Sequence, residues 1–300
     1  MGILTWVKRI GFFFVTNFLI IITIGFILRI TGLDIYLQDM VGGGYQGMFI
    51  MCLLWGMIGS FISLWMSKWS AKRSFKLQML DETDPHNGEL VRRVHNLARA
   101  AGLSGMPEVG IYESPELNAF ATGPTKNNSL VAVSTGLLQG MSRDEVEGVL
   151  AHEVSHISNG DMVTMTLIQG VMNAFIFFLS QLITQVLTSA MRGDGERRGG
   201  FGMGGGYFMY YIVQSVLGFL AMFVVSYFSR WREFRADAGG ARLAGRSSMI
   251  SALKALQQRF EPDPRYKNEL PTMKISGLGG LMSTHPPLAK RIEALEAGAI

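Results

Sequence analysis

VLAHEVSHISNGD, residues Val149–Asp161, is the stretch around which the rest of this chain can be interpreted. It contains the pattern H-E-x-x-H in His152, Glu153 and His156. Residues four apart lie on one face of a helix, so the two imidazoles can hold one metal ion together. Zinc suits neutral nitrogen ligands, and a carboxylate beside it can take a proton from a water molecule that attacks a carbonyl. The stretch therefore predicts zinc-dependent hydrolysis with Glu153 as the general base.

The residues around this motif predict a helix, which the motif requires if its two histidines are to share one face. Ser142 and Glu145 form the pattern S-x-x-E, which is typical of a capping box at the start of a helix. Upstream, a helix is predicted at Asn87–Ala101, with Gly102 as its C-terminal cap. Three short strands are predicted at Pro107–Tyr112, Asn118–Gly123 and Leu130–Ser134, the last two joined as a hairpin by the turn-rich segment Pro124–Ser129.

The composition indicates a membrane protein. The chain is 48% hydrophobic and only 17% charged, whereas soluble domains carry about 25% charged residues. Four apolar segments are each long enough to cross a bilayer or be embedded in it: Ile10–Ile30, about Gly47–Met66, about Met165–Leu187 and about Tyr207–Phe228. The one cysteine, Cys52, excludes an intramolecular disulfide and fits a reducing compartment.

Basic residues flank the first two spans on their outer sides, and the loop between them is not basic. Lys8 and Arg9 precede the first span, and Lys68, Lys72, Arg73 and Lys76 follow the second span. The positive-inside rule then places the N-terminus and the chain after Met66 in the cytoplasm. The net charge of +4 is interpreted as this topology signal, and no nucleic-acid partner is expected. Arginines in the glycine-rich loop Gly193–Gly206 oppose the trend, so segments three and four form either two spans or a hairpin partly packed on protein.

These features predict an α+β fold, mainly α: a zincin-like metalloprotease domain with a small β-sheet or hairpin, combined with four transmembrane or membrane-embedded helices. The expected organisation is a membrane anchor (1–66), a first part of the cytoplasmic domain with H-E-x-x-H (67–164), a membrane helix pair (165–228) and a second part of that domain (229–300). After the helix pair, helices are predicted at Trp231–Leu243, Ser247–Phe260 and Leu288–Ala297.

A catalytic zinc needs a third protein ligand besides the two histidines. Glu233 follows segment four closely, as His156 precedes segment three, so both return to the same side of the membrane. Asp237, four residues on, would orient a ligand histidine through its other ring nitrogen. The alternative for Glu233 is a surface carboxylate among arginines.

Four motifs together carry a resemblance to a known family: NAFATG, HEVSHISNGD, REFRADAGGARL and STHPP. In these motifs, and over nearly its whole length, the chain resembles membrane-integrated members of the M48 family of zinc metallopeptidases, which are gluzincins with HExxH and ExxxD. The resemblance implies one Zn²⁺ per subunit on His152, His156 and Glu233, with Glu153 as general base. It also implies an endopeptidase of the bacterial inner membrane that acts in stress response and quality control.

Further site residues are expected around this centre. His285 either donates a hydrogen bond to the oxyanion or closes the site by ligating zinc, with helix capping before Pro286 as the alternative. Asn118, Ala119 and Phe120 are expected to hold an extended substrate by backbone pairing, with an ordinary edge strand as the alternative.

The expected substrates are misfolded or damaged membrane proteins and unfolded polypeptides, reached from the lipid bilayer. Charged residues just before the motif, from Arg143 to Glu147, argue against a site within a span. A non-catalytic membrane adaptor that binds zinc structurally remains the other interpretation.

Overall fold

The structure, a computed structural model, describes residues 44–85, 87–191, 203–260 and 285–300, together with residue 30. The helices are α1 (Gly44–Ser74), α2 (Gly88–Ala100), α3 (Thr135–Gly140), α4 (Arg143–Asn159), α5 (Asp161–Met191), α6 (Met203–Ala244), α7 (Arg246–Phe260) and α8 (Leu288–Glu296). The strands are β1 (Gln78–Leu80), β2 (Glu108–Tyr112), β3 (Ala119–Thr125) and β4 (Asn128–Ser134). The predicted class, mainly α with a small sheet, is confirmed.

Helices α1, α5 and α6 are long and apolar enough to cross a membrane. Less than a fifth of the apolar window in each is buried within the chain, so most of their apolar side chains are available to lipid. The predicted spans two, three and four lie within these helices. The predicted first span, Ile10–Ile30, lies outside the described residues except at its last position.

The chain divides into two compact units, of which the first comprises residues 1–59 and 170–215. In its described part, Gly56 of α1 lies against the backbone of α5, where an added Cβ would be 2.5 Å from the nitrogen of Ala174. Nearby, Phe49 packs edge-on against Phe178, with ring centroids 5.3 Å apart. Small residues at a crossing let two membrane helices approach closely, and this pair follows that rule.

The second unit, residues 60–169 and 216–300, contains the sheet. The strand order is β1-β2-β4-β3, with β2 and β4 parallel and the other two pairs antiparallel. The predicted hairpin is present, with Thr125 paired to Asn128 at its turn. Strand β3 pairs on one side only within the described part of the chain, so its other side is an open edge.

The core of this unit lies between the sheet and helices α2 and α4. Its most deeply buried members are apolar residues of these elements: Val94, Ala98, Val131, Val133, Leu150, Ala151, Val154 and Ile157. Helix α2 ends as expected, since Gly102 has a φ of +73° and Leu103 donates its N–H to the carbonyl of Ala98 at 3.0 Å. The motif helix is thus buried on one side against a sheet, which holds its direction.

Both ends of α4 are defined by local sequence. Ser142 accepts a hydrogen bond from the N–H of Glu145 at 3.4 Å, and the Glu145 side chain accepts one from the N–H of Ser142 at 2.7 Å, so the predicted capping box is confirmed. At the other end Gly160 adopts the left-handed conformation, with a φ of +72°. This turn redirects the chain, so that Asp161 begins α5 beside the last turn of α4.

Helix α6 differs from the predicted pattern because it is continuous over 42 residues. A glycine-rich loop was predicted through Gly206, yet residues 203–206 are helical. These residues form the first turn of the helix, so their carbonyls can accept its first hydrogen bonds although three of the four residues are glycines. The helix also runs on through Ser229, where the second part of the domain was predicted to start, because neither proline nor glycine interrupts residues 219–238.

Candidate metal centre

The second unit brings His152, His156 and Glu233 together. Their ligand atoms all lie within 4.8 Å of one another. The Nε2 atoms of the two histidines are 3.1 Å apart. Oε2 of Glu233 lies 3.6 Å from Nε2 of His152, and Oε1 of Glu233 lies 3.4 Å from Nε2 of His156. Glu233 is 1% exposed, which overturns the alternative of a surface carboxylate.

This spacing fits a small tetrahedrally coordinated cation. Tetrahedral ligands placed about 2.0–2.1 Å from an ion lie about 3.3–3.4 Å from one another. The two Nε2 atoms, 3.1 Å apart, come close to that value, and each of them lies 3.4–3.6 Å from one of the two Glu233 carboxylate oxygens. Two imidazoles and one carboxylate leave the fourth position open, which is the pattern of a catalytic centre and not of a closed structural one.

Each histidine is held by a second carboxylate through its Nδ1 atom. For His156 this partner is Asp161, whose Oδ2 lies 2.6 Å from Nδ1. Burial works against a charged imidazole, but Asp161 and Glu233 outweigh it and raise the pKa of His156 to about 9. The carboxylate keeps a proton on Nδ1, so a metal that displaces the Nε2 proton meets the lone pair of Nε2.

For His152 the partner is Asp237, which is fully buried. Its Oδ1 lies 2.9 Å from Nδ1 of His152. Asp237 is in turn bound by Arg291 of α8 through two short hydrogen bonds, Nε to Oδ2 at 2.7 Å and Nη2 to Oδ1 at 2.6 Å. Burial lowers the pKa of Arg291, but the Asp237 carboxylate outweighs it, so the net pKa shift is upward.

Glycines let α6 lie close enough to α4 for its carboxylates to reach the histidines. A Cβ added at Gly239 would be 2.5 Å from Oγ of Ser155, and one at Gly240 would be 3.2 Å from the backbone nitrogen of His152. Asp237 lies less than one helical turn before this crossing, and Glu233 lies about two turns before it on the same helix. The sequence REFRADAGG thus supplies the two carboxylates together with the space they need.

Glu153 is half-buried on α4, between the two histidines in sequence. Burial, together with the charges of Glu116 and Glu153, raises the pKa of Tyr112 on β2. The hydroxyl oxygen of Tyr112 accepts a hydrogen bond from Nδ2 of Asn118 at 2.8 Å. Asn118 immediately precedes β3, so this bond fixes the start of the edge strand that carries Ala119 and Phe120.

His285 lies at the rim of the group. Its side chain is 63% exposed, and its Nδ1 lies 3.0 Å from Oε2 of Glu233. Helix α8 begins after Pro287 without a side-chain cap, so helix capping is not the role of His285. The structure thus brings His285 to the same carboxylate that faces His152 and His156.

Sequence reasoning missed three residues of this site: Asp161, Arg291 and Tyr112. Asp161 lies five residues after His156, a spacing that reaches back only because Gly160 turns the chain. Arg291 lies in LAKRIEALE, where a basic residue in a short helix looks like a surface residue. The run Val-Gly-Ile-Tyr in the EVGIY strand could have marked Tyr112 as buried, but nothing in it points to Asn118.

The chain is similar to known peptidases over nearly its whole length. The sequence model of Peptidase family M48 matches residues 84–299. The "Protease HtpX homolog" of Nitrosomonas eutropha is 49% identical over 298 residues, which is 97% of this chain and 99% of the relative. The "Protease HtpX" of Salmonella arizonae is 46% identical over 301 residues, which is 97% of this chain and 98% of the relative.

A solved structure shares the fold. The crystal structure of S. mikatae Ste24p superposes with a TM-score of 0.60 at 20% sequence identity. The match covers 94% of this chain and 65% of that chain. At this level of identity the likeness concerns the fold, in which membrane helices and a small mixed sheet occur in one chain.

Proposed function

Since this chain belongs to peptidase family M48 and is a membrane metalloprotease, we propose that it is a zinc-dependent endopeptidase that hydrolyses misfolded or damaged membrane proteins. The observation that carries this proposal is the buried group His152, His156 and Glu233. In quality control, such an enzyme would act in the bacterial inner membrane during stress, with its catalytic domain in the cytoplasm.

Zinc is the metal that this donor set favours. Two neutral imidazoles and one carboxylate suit Zn²⁺, whereas Mg²⁺ and Ca²⁺ take oxygen ligands in greater number. No cysteine lies in the group, so a closed structural site with thiolate ligands is not formed by these residues. One zinc ion per subunit would be held by His152, His156 and Glu233.

The chain's own residues supply the remaining chemistry. A bound zinc ion provides a Lewis acid and makes water acidic enough to react near neutral pH. Glu153 accepts the proton of the attacking water and passes it to the amine of the departing peptide. Asp237 and Asp161 hold the two histidines, and so fix the position at which Glu153 meets the water.

The exposed ring of His285 completes the site on the substrate side. It contacts the Glu233 carboxylate, yet most of its surface faces solvent. A substrate carbonyl at the site would come within reach of such a ring, which can donate a hydrogen bond to the developing oxyanion. This is the role that we assign to His285.

An extended substrate can pair with the edge of β3 that is open within the described part of the chain. Ala119 and Phe120 begin this strand, Asn118 immediately precedes it, and α4 packs beside it. Backbone pairing recognises any extended segment whatever its sequence, so an unfolded polypeptide is the expected substrate. In most folded proteins the strands are already paired or their edges protected, which gives selectivity for damaged proteins.

The helix ends support a site near the membrane surface. Trp65 and Trp69 on α1 and Trp231 on α6 are all more than half exposed, and such aromatic residues are typical of the membrane–water interface. Trp231 lies two residues before Glu233, a rise of about 3 Å along a helix. Loops and termini of membrane proteins on the cytoplasmic side are therefore the substrates that this centre would meet.

The test uses the full-length chain purified in detergent and an unfolded soluble protein as substrate. Cleavage is measured before treatment with a chelator, after it, and after zinc is restored. The proposal expects cleavage that is lost with the metal and recovered with zinc. Well-folded, zinc-loaded protein that cleaves nothing would instead support the other candidate, a membrane adaptor with a structural metal.

A further inference from the structure

We propose that Arg291, on the last helix of the chain, is a positioning residue for the metal centre. The inference rests on the proposed metal site. Arg291 is 6% exposed and lies 54 positions beyond Asp237 in sequence. A buried arginine is costly unless its donors are matched by acceptors, so its place here calls for a specific role.

Apolar packing of α8 brings Arg291 to this position. Ile292 and Leu295 lie on the buried side of the helix and pack against Met249 and Leu253 of α7. Those contacts hold α8 by side chains that have no part in the site. Arg291 can therefore reach inward without itself providing the packing of its helix.

The guanidinium joins the two carboxylates of α6. Nε and Nη2 bind both oxygens of Asp237, and Nη1 lies 3.3 Å from Oε2 of Glu233. Glu233 and Asp237 are four apart, one helical turn, and their like charges would repel in a buried site. One planar cation placed across both removes that repulsion and fixes the rotation of the Asp237 carboxylate.

By fixing the Asp237 carboxylate, Arg291 also orients His152, a proposed metal ligand. Oδ1 of Asp237, which accepts from Nη2 of Arg291, is also the atom 2.9 Å from Nδ1 of His152. Because guanidinium donates and cannot accept, Asp237 must be the acceptor for both groups. His152 then carries its proton on Nδ1 and presents the lone pair of Nε2 to the metal.

Charge alone would argue the opposite, because a guanidinium repels a dication. In the loaded site that repulsion is offset, because Asp161, Glu233 and Asp237 contribute three buried negative charges that one guanidinium and one divalent ion balance. The arginine therefore acts on zinc affinity through the orientation of Asp237 and His152, and not through its charge.

The fork of Arg291 is the feature that a lysine cannot reproduce. An ammonium is a point charge on a flexible stem, whereas the planar guanidinium binds both carboxylate oxygens at once. Arg291→Lys therefore keeps the charge and loses the orientation. Arg291→Gln loses both.

Metal affinity of the full-length protein in detergent, measured by competition with a chromophoric zinc chelator, tests the proposal without relying on peptide turnover. Both Arg291→Gln and Arg291→Lys are expected to bind zinc at least about tenfold more weakly, the usual effect of losing a partner that orients a ligand. Lys254→Gln is the matched control, because it removes an exposed ion pair between α7 and α8, in which Lys254 lies 2.7 Å from Glu296. This variant should bind zinc with unchanged affinity. Thermal unfolding of the metal-free proteins identifies the variants that fold. If Arg291→Gln does not fold, the zinc affinity of Arg291→Lys alone tests the proposal.

A double variant tests the route through Asp237. If Arg291 acts by holding Asp237, the loss in Asp237→Asn combined with Arg291→Gln is smaller than the product of the two single losses. Wild-type affinity in Arg291→Lys, or single losses that multiply in the double variant, would overturn the proposal. Because the readout is zinc binding, neither result depends on whether the enzyme cleaves its substrate.

Discussion

The Nδ1 atom of His156 lies 2.6 Å from Oδ2 of Asp161, the first residue of a helix that is long enough to cross a membrane. The metal centre and a membrane helix thus meet at one hydrogen bond between buried side chains. The αL turn at Gly160 makes this contact possible, because it redirects the chain between the two helices. His156, a metal ligand in our proposal, is thereby held by a helix that is long and apolar enough to cross a membrane.

Asp161→Asn should weaken zinc binding by about 10–100-fold, because the amide cannot hold His156 with the strength of a carboxylate. Zinc affinity by chelator competition measures this. Asp144→Asn is the matched control, since Asp144 is also an acidic residue in a first helical turn but is exposed and far from the histidines. An equal loss in both variants would mean that the helix dipole, and not the bond to His156, explains the effect.

Most of the secondary structure near the motif could be predicted, because its signals are local. The capping box at Ser142, the glycine after α2 and the hairpin around Pro124 each act within a few residues. Glu233 and Asp237 could also be predicted, since they share a face of one helix and lie on the same side of the membrane as the motif.

The remaining site residues depend on long-range packing. Arg291 reaches the centre because α8 packs on α7, and no local pattern shows which face of α8 is buried. The three-residue strand β1 was missed because so short a segment is defined by its pairing with β2. The predicted loop Gly193–Gly206 is wrong at its end, where residues 203–206 belong to α6, and residues 193–202 lie outside the described residues.

Removing the metal should lower the melting temperature of the wild-type protein. A ligand that binds only the folded state stabilises it by about 4 kcal/mol when its free concentration is a thousand times the Kd. Thermal unfolding with zinc and with a chelator measures the shift. His156→Ala, which lacks a ligand, should show little difference between the two conditions, and a shift as large as that of the wild type would contradict the assignment of His156.

Tyr112→Phe should raise the KM for an unfolded substrate about fivefold, with a smaller change in kcat. The substitution removes the acceptor for Nδ2 of Asn118, and a hydrogen bond contributes about 1 kcal/mol. Steady-state kinetics separate the two constants, and zinc content should stay equal to that of the wild type. Unchanged KM would show that Asn118 does not position the substrate strand through Tyr112.

Gly239→Ala should destabilise the protein by about 1–3 kcal/mol, because the added methyl group meets Ser155 on α4. Gly206→Ala, on the same helix but with open space around its Cα, is the control and should be neutral or stabilising by up to about 1 kcal/mol. Unfolding in detergent compares the two. If Gly239→Ala were as stable as Gly206→Ala, the close approach of α6 to α4 at Gly239 would not be needed for the stability of the fold.

The most direct measurement is the initial rate of cleavage by Glu153→Gln, compared with the wild type at equal zinc content. Glutamine keeps the size of the side chain and cannot accept the proton of the attacking water. We expect zinc content and thermal stability like those of the wild type, with cleavage reduced by at least about a hundredfold. Cleavage at the wild-type rate from zinc-loaded Glu153→Gln would contradict the assignment of Glu153 as the general base.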